Sequence, residues 1–185
     1  MSYALIVAEV RNGAFEERNL DAVGLSNLMG KDAFIVMPDA AYAVNDKLFN
    51  TVVKIKTDEA VFLNPLNMTG ILKASIDLIG KPDVIIFTHS SSGTELASYA
   101  AGHFNMPIIT DVNGFDKERG VVYKSYYSDK IFGEFKQTAD GPLLVTVRSG
   151  SFKEHAVEKA STPQYKTIEN VDVDERRKFL EYVEE

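Results

Sequence analysis

The chain has 185 residues, 45% hydrophobic and 25% charged, which is ordinary for one globular domain burying about two-thirds of its unfolded surface. A net charge of −7 speaks against nucleic-acid partners and anionic membrane surfaces, and the absence of cysteine excludes disulfides, thiolate zinc sites, cysteine-ligated iron–sulfur clusters and cysteine nucleophiles. No apolar run reaches the about 18 residues of a membrane span, and Met1 to Val7 does not read as a secretory leader, so a cytoplasmic protein is expected.

The first strand is expected at Leu5-Ile6-Val7-Ala8. A helix follows over about residues 17 to 29, with Leu20, Val23, Leu28 and Met29 as its apolar stripe and Gly30 as a left-handed stop. Phe34 to Met37 and Val52 to Ile55 read as strands two and three. A second helix spans about 67 to 79, with Ile71, Leu72, Ile76 and Ile79 inward and Gly80 and Pro82 ending it. Strand four is Val84 to Phe87, and the helix after it covers about 93 to 104, started by a Ser92/Glu95 capping box. Ile108-Ile109 opens strand five. Continuous apolar runs suit strands covered on both faces, and β-α-β alternation predicts a doubly wound, mostly parallel α/β sheet.

After Asp111 the pattern changes. Val121 to Ser128 and Ile131 to Thr138 read as an antiparallel ribbon turning at Ser128-Asp129-Lys130. Leu143 to Val147 is a further buried strand and Gln164 to Glu169 another. Arg176 to Val183 suits a last helix or an edge strand. The whole is expected to be one domain, with an α/β core over about 1–112 and ribbon, strand and tail over about 118–185.

Ligands in such sheets bind beyond the carboxyl ends of the strands, so those ends hold the candidates. Thr88-His89-Ser90-Ser91-Ser92-Gly93-Thr94 puts hydroxyls and a glycine at a helix N-terminus, where free N–H groups and the helix dipole favour an anion. Thr88, Ser90, Ser91, Ser92, Gly93 and Thr94 are therefore a candidate nucleotide or anion site, with helix capping as the alternative. Replacing Gly93 by Asp is expected to abolish such binding and leave the fold largely intact. Arg11 could face a phosphate or carboxylate, or simply be solvated. Asp111 could orient a ribose or a basic partner, or make local turn bonds. Gly13 alone is no dinucleotide fingerprint, and His89, His103 and His155 lack ligand spacing. No nucleophile–base template is present, so no metal site and no independent catalysis are expected. Tyr126 and Tyr127, on a ribbon with Lys124 and Lys130, fit a protein partner.

Three segments carry a family resemblance. Lys81-Pro82-Asp83-Val84-Ile85-Ile86-Phe87 with its Thr/Ser/Gly loop and Glu95-Leu96-Ala97, then Met106 to Val112, then Tyr127 to Lys136 with Val145-Thr146-Val147-Arg148-Ser149-Gly150-Ser151-Phe152, together resemble the N-terminal domain of the electron transfer flavoprotein alpha subunit. The resemblance implies an adenine-nucleotide α-hydrolase-like fold with core order 3-2-1-4-5 and a beta-subunit-like partner, a homo-oligomer being the other option. It makes Tyr126, Tyr127 and Arg148 interface or scaffold residues. The family's FAD contacts lie mostly in a second domain and its AMP in the beta subunit. No cofactor is therefore expected in the isolated chain, and FAD or AMP only in a complex. The helix-start position usually holding Arg is Thr94 here, and the ribbon-turn position usually holding Gly is Asp129. An adenine-nucleotide-binding module using residues 88–94 is the alternative function.

Overall fold

The computed structural model describes residues 2–138, 140–174 and 176–177. In chain order the strands are β1 (Tyr3–Val7), β2 (Val10–Arg11), β3 (Ala14–Phe15), β4 (Asp32–Pro38), β5 (Thr51–Ile55), β6 (Val84–Thr88), β7 (Ile108–Asp116), β8 (Val121–Tyr126), β9 (Ile131–Phe135), β10 (Leu143–Val147) and β11 (Gln164–Ile168). The helices are α1 (Asn19–Leu28), α2 (Glu59–Phe62), α3 (Pro65–Ile79) and α4 (Ser91–Phe104). Residues 178–183 of the expected terminal element lie outside the described residues.

Nine strands form one sheet in the order β11-β5-β4-β1-β6-β10-β7-β8-β9. The ladders from β11 to β7 are all parallel, and β7-β8-β9 continue antiparallel. The five strands expected from the first half keep the order 3-2-1-4-5, and β10 slots between four and five. This insertion lets the last apolar run, Leu143–Val147, become the sheet's centre. All five of its residues are buried, as a strand flanked by β6 and β7 and covered on both faces must be.

β1, β4 and β6 are buried throughout their middles, and Phe49, Phe62, Phe87, Leu5, Ile6 and Ile35 are among the bulkiest fully enclosed side chains. α3 packs on α4, while α1 packs on β1, β4, β6, β10 and a 3-10 turn at Lys153–His155. α3 starts as its residues dictate. The Asn64 side chain accepts from the Leu66 N–H and Pro65 sits in the first turn, where its missing N–H costs nothing. Gly80, at a φ of 91°, ends it.

Three local readings change. α4 is capped by Ser90, whose side chain accepts from the Gly93 N–H at 2.8 Å. Ser92 and Glu95 form no capping box; Ser90 lies at the end of β6, so the helix starts two residues earlier. The buried side of α1 is Asn19, Asp21, Ala22, Val23, Gly24, Leu25 and Ser26. It is wider than one stripe because the segment after β10 covers the helix as well as the sheet. Asn12-Gly13 forms a hairpin turn between β2 and β3, both residues having positive φ (52° and 74°), the conformation that a two-residue primed turn requires.

Candidate functional site

The carboxyl ends of β1, β6, β7 and β10 lie side by side in the sheet, and the residues that follow them form one polar rim. Four features of that rim follow from the sequence.

The first is the loop after β6. Thr88 is 2% exposed. Its hydroxyl donates to Glu9 Oε2 at 2.6 Å, and the Ser90 hydroxyl reaches the same oxygen at 2.9 Å. Glu9 follows β1 and is fixed by Asn19, which accepts from the Glu9 N–H and donates to its carbonyl, each at 2.8 Å. A carboxylate of the chain itself thus stands against the hydroxyls expected to meet an anion. Ser91 and Thr94 line an open crevice of about 750 Å³ with Arg18, His89, Ser90, Glu95 and Ser98. Its cation is Arg18, at the start of α1, which also faces Glu16 at 3.8 Å. Arg11 is exposed on the β2–β3 hairpin. Glu95 pairs with Arg177 at 2.8 Å. Gly93 allows the first turn of α4 to press on β6, since a Cβ there would overlap the Thr88 carbonyl oxygen. Replacing Gly93 therefore disturbs the β6–α4 junction itself, contrary to the expectation of an intact fold.

The second is the segment after β10. Gly150, at a φ of 81°, turns the chain so that its own N–H and those of Phe152 and Lys153 converge. The Asp21 side chain, 2% exposed, enters this nest. It accepts from the N–H groups of Gly150 (3.0 Å), Phe152 (2.7 Å) and Lys153 (3.1 Å). Phe152 is buried, and its carbonyl oxygen would overlap any Cβ at position 24. The Ser149-Gly150-Ser151-Phe152 stretch therefore serves to dock this segment on α1. Sequence reasoning passed over Asp21. The usable signal was a carboxylate and a glycine one helical turn apart on a helix lacking a clean stripe.

The third is Asn12-Gly13, whose two N–H groups donate to the Glu59 carboxylate at 2.8 and 3.0 Å.

The fourth is an ion cluster at the bulge of β7. Pairing with β10 slips between Val145–Ile109 and Val147–Val112, placing one extra residue in β7. Asp111 takes a φ of 62° there and its N–H donates to Thr146 Oγ1 at 2.9 Å. Bulges re-aim side chains, and here the carboxylate turns to Arg148. Arg148 Nε donates to Asp111 Oδ1 at 2.9 Å and Nη2 to Oδ2 at 2.6 Å, a two-point fork. The remaining arm, Nη1, donates to Asp129 Oδ1 at 2.8 Å. His89 Nδ1 meets Thr146 Oγ1 at 2.8 Å, and its Nε2 lies 3.7 Å from Asp111 Oδ1. Arg148 holds Asp111 below the usual carboxylate range. The Ser125 hydroxyl, then Arg148, do the same for Asp129. The Arg148 guanidinium is raised in turn, chiefly by its bond to Asp111. Of the roles the sequence allows Asp111, the basic partner is the one present: Arg148 holds it, and is held by it in turn.

Beyond the cluster projects the β8–β9 hairpin. Tyr127, Ser128 and Asp129 have φ values of 51°, 55° and 62°, a conformation costing non-glycine residues about 1–2 kcal/mol each. Asp129 occupies the position where glycine was expected, and its conformation is the one glycine adopts freely. The tip exposes Tyr126 (40%), Tyr127 (78%), Ile131 (54%) and Phe132 (56%), where β8 turns into the edge strand β9.

No group of three or more possible metal ligands occurs among the described residues, and no helix among them is long and apolar enough to cross a membrane. A search of curated proteins finds no match. The electron transfer flavoprotein domain matches residues 4–175, well beyond the stretch that carried the resemblance. The chain belongs to the electron transfer flavoprotein domain family.

Proposed function

We propose that this chain is an alpha-subunit-like module that docks through its β8–β9 hairpin onto a flavoprotein partner of the beta-subunit type and does not hold FAD by itself. The observation that supports docking is the hairpin tip. Four large apolar or aromatic side chains remain 40–78% exposed at the tip, although apolar surface taken from water is worth about 25 cal/mol per Å². Aromatic anchors of this kind dominate protein interfaces.

That FAD is not held alone is supported by the rim. A flavin dinucleotide needs donors for its diphosphate. Asp21 takes three backbone N–H groups, Glu59 takes two, and Glu9 takes two hydroxyls. Three carboxylates already sit where the diphosphate would seek contacts, so the residues present do not fit the group.

Mixing the purified chain with beta-type flavoproteins, followed by analytical ultracentrifugation, tests docking. Complex formation at micromolar concentration, lost in Tyr127→Asp or Phe132→Asp, is the expected result. Absence of any complex, or self-association through the same residues, refutes this partner. Absorbance of protein purified without added cofactor tests the second half. Flavin bands that survive gel filtration refute it.

A second reading, adenine-nucleotide binding at residues 88–94, is favoured by one observation, the open crevice at the start of α4. Titration calorimetry with AMP, ADP and ATP decides it.

A further inference from the structure

We propose that Arg148 and Asp129 form a latch that aims the aromatic hairpin by tying its strained tip to the bulge in β7. The inference deepens the docking reading and rests on it for its purpose, but not for its test.

The tip has little else to hold it. Tyr127 to Lys130 are exposed, and only Ser125 of the residues just before them is buried. Three successive non-glycine residues hold left-handed φ there, and such a conformation persists only where its surroundings determine it. Within the hairpin, the Lys130 N–H donates to the Tyr126 carbonyl at 3.2 Å and the Ser125 hydroxyl donates to Asp129. Asn113 of β7 reaches Ser125 at 3.0 Å, and Arg148 makes the direct contact from the sheet to the turn itself, at Asp129. Its other two bonds go to Asp111, whose position is set by the bulge and by Thr146. Arg148 thus bridges a carboxylate fixed in the sheet and one on the projecting turn, and the second determines where Tyr126 and Tyr127 point.

Arg148 is a positioning residue. Lysine cannot replace it, because one ammonium cannot supply a planar fork to Asp111 and a third donor to Asp129. Asp129→Asn removes the charge while keeping a residue that tolerates left-handed φ, so it separates the ion pair from backbone strain.

Hydrogen exchange on the chain alone tests the latch. Arg148→Lys and Asp129→Asn should each speed exchange of the Lys130 amide, which donates to the Tyr126 carbonyl, and of the adjoining β8–β9 ladder amides about two- to fivefold, the range for one partly exposed ion pair. Amides of β1 and β6 should be unchanged. At the tip the double variant should equal the larger single effect, because both changes weaken the same Arg148–Asp129 pair. The chain contains no cysteine, so a spin label on Ile131→Cys reports the same tip and should gain mobility in both variants. Unchanged exchange at the tip, additive effects, or acceleration spread through the core would overturn the latch. No partner is present, so failure of docking leaves this result standing, and failure here leaves the docking reading standing.

Discussion

Asp21→Asn is the sharpest test of how the rim is built. The substitution keeps shape and volume. Its amide oxygen can still serve Phe152 and Lys153, which bond to Oδ1, but its NH₂ then faces the Gly150 N–H, which donates to Oδ2. One buried donor is left against another donor, at about 1–3 kcal/mol. The other two bonds lose their charge-assisted half, roughly 0.5 kcal/mol apiece. The total is about 2–4 kcal/mol, a large part of the about 5–15 kcal/mol that holds a typical domain together. For a chain of this size each kcal/mol lowers Tm by about 2–4 °C, so a fall of roughly 4–16 °C is expected. Asp21→Ala leaves all three N–H groups unpaired and should cost more. Urea unfolding followed by circular dichroism is the assay, since the chain has no tryptophan. An Asp21→Asn midpoint within about 0.5 kcal/mol of the parent, the scale of an ordinary surface change, would refute the claim that this carboxylate organises the segment after β10.

Three further outcomes follow. Gly24→Ala and Gly93→Ala each force a methyl group into a carbonyl oxygen; each should cost about 1–3 kcal/mol as overpacking, against a gain for Gly102→Ala, an α4 position with open space around it. The Arg148 guanidinium holds the Asp111 carboxyl below the usual carboxylate range, so its contribution is present above about pH 4 and disappears as pH falls through the folded value; Asp111→Asn should flatten the acid limb of a Tm–pH curve, and an unaltered limb would contradict the fork to Arg148. Tyr3 is the opposite case. Burial, then the charge of Asp83, pushes its phenol up to about 12, and its hydroxyl donates to the Gly80 carbonyl. Its contribution is therefore present below about pH 10 and lost as pH rises towards about 12. Tyr3→Phe should lose stability at neutral pH and show a shallower alkaline decline.

The strands were legible because burial on both faces leaves continuous apolar runs. Val84–Thr88 and Leu143–Val147 lie within a residue of their expected bounds. Their neighbourhood was less so: nothing local in Leu143 to Val147 states that it lies between β6 and β7. The Asn12-Gly13 hairpin had a local signal that was read only as a missing nucleotide fingerprint. Ser90 and Ser92 are equivalent as caps on paper, and the end of β6 selects Ser90. The Arg148 cluster was beyond local reading altogether, because its members are 37 and 19 residues apart in sequence and meet through a bulge. Thr88 and Ser90 were found as polar rim residues, but the side chain that answers them, Glu9, comes from a different strand.

Glu9, Asp21 and Glu59 share a consequence. Helix starts, nests and glycine turns at strand ends are where α/β proteins receive phosphate, and this chain has each of these features. In the nest and at the glycine turn a carboxylate from elsewhere in the fold accepts the N–H bonds that a phosphate oxygen would take, and at the helix start Glu9 accepts the Thr88 and Ser90 hydroxyls. The same donors thus hold the rim's loops together. A phosphate entering would have to displace a tethered carboxylate and meet its charge at close range, in a molecule already at −7. The hairpin tip beyond Arg148, with Tyr127, Ile131 and Phe132 more than half exposed, is a surface that needs no anion.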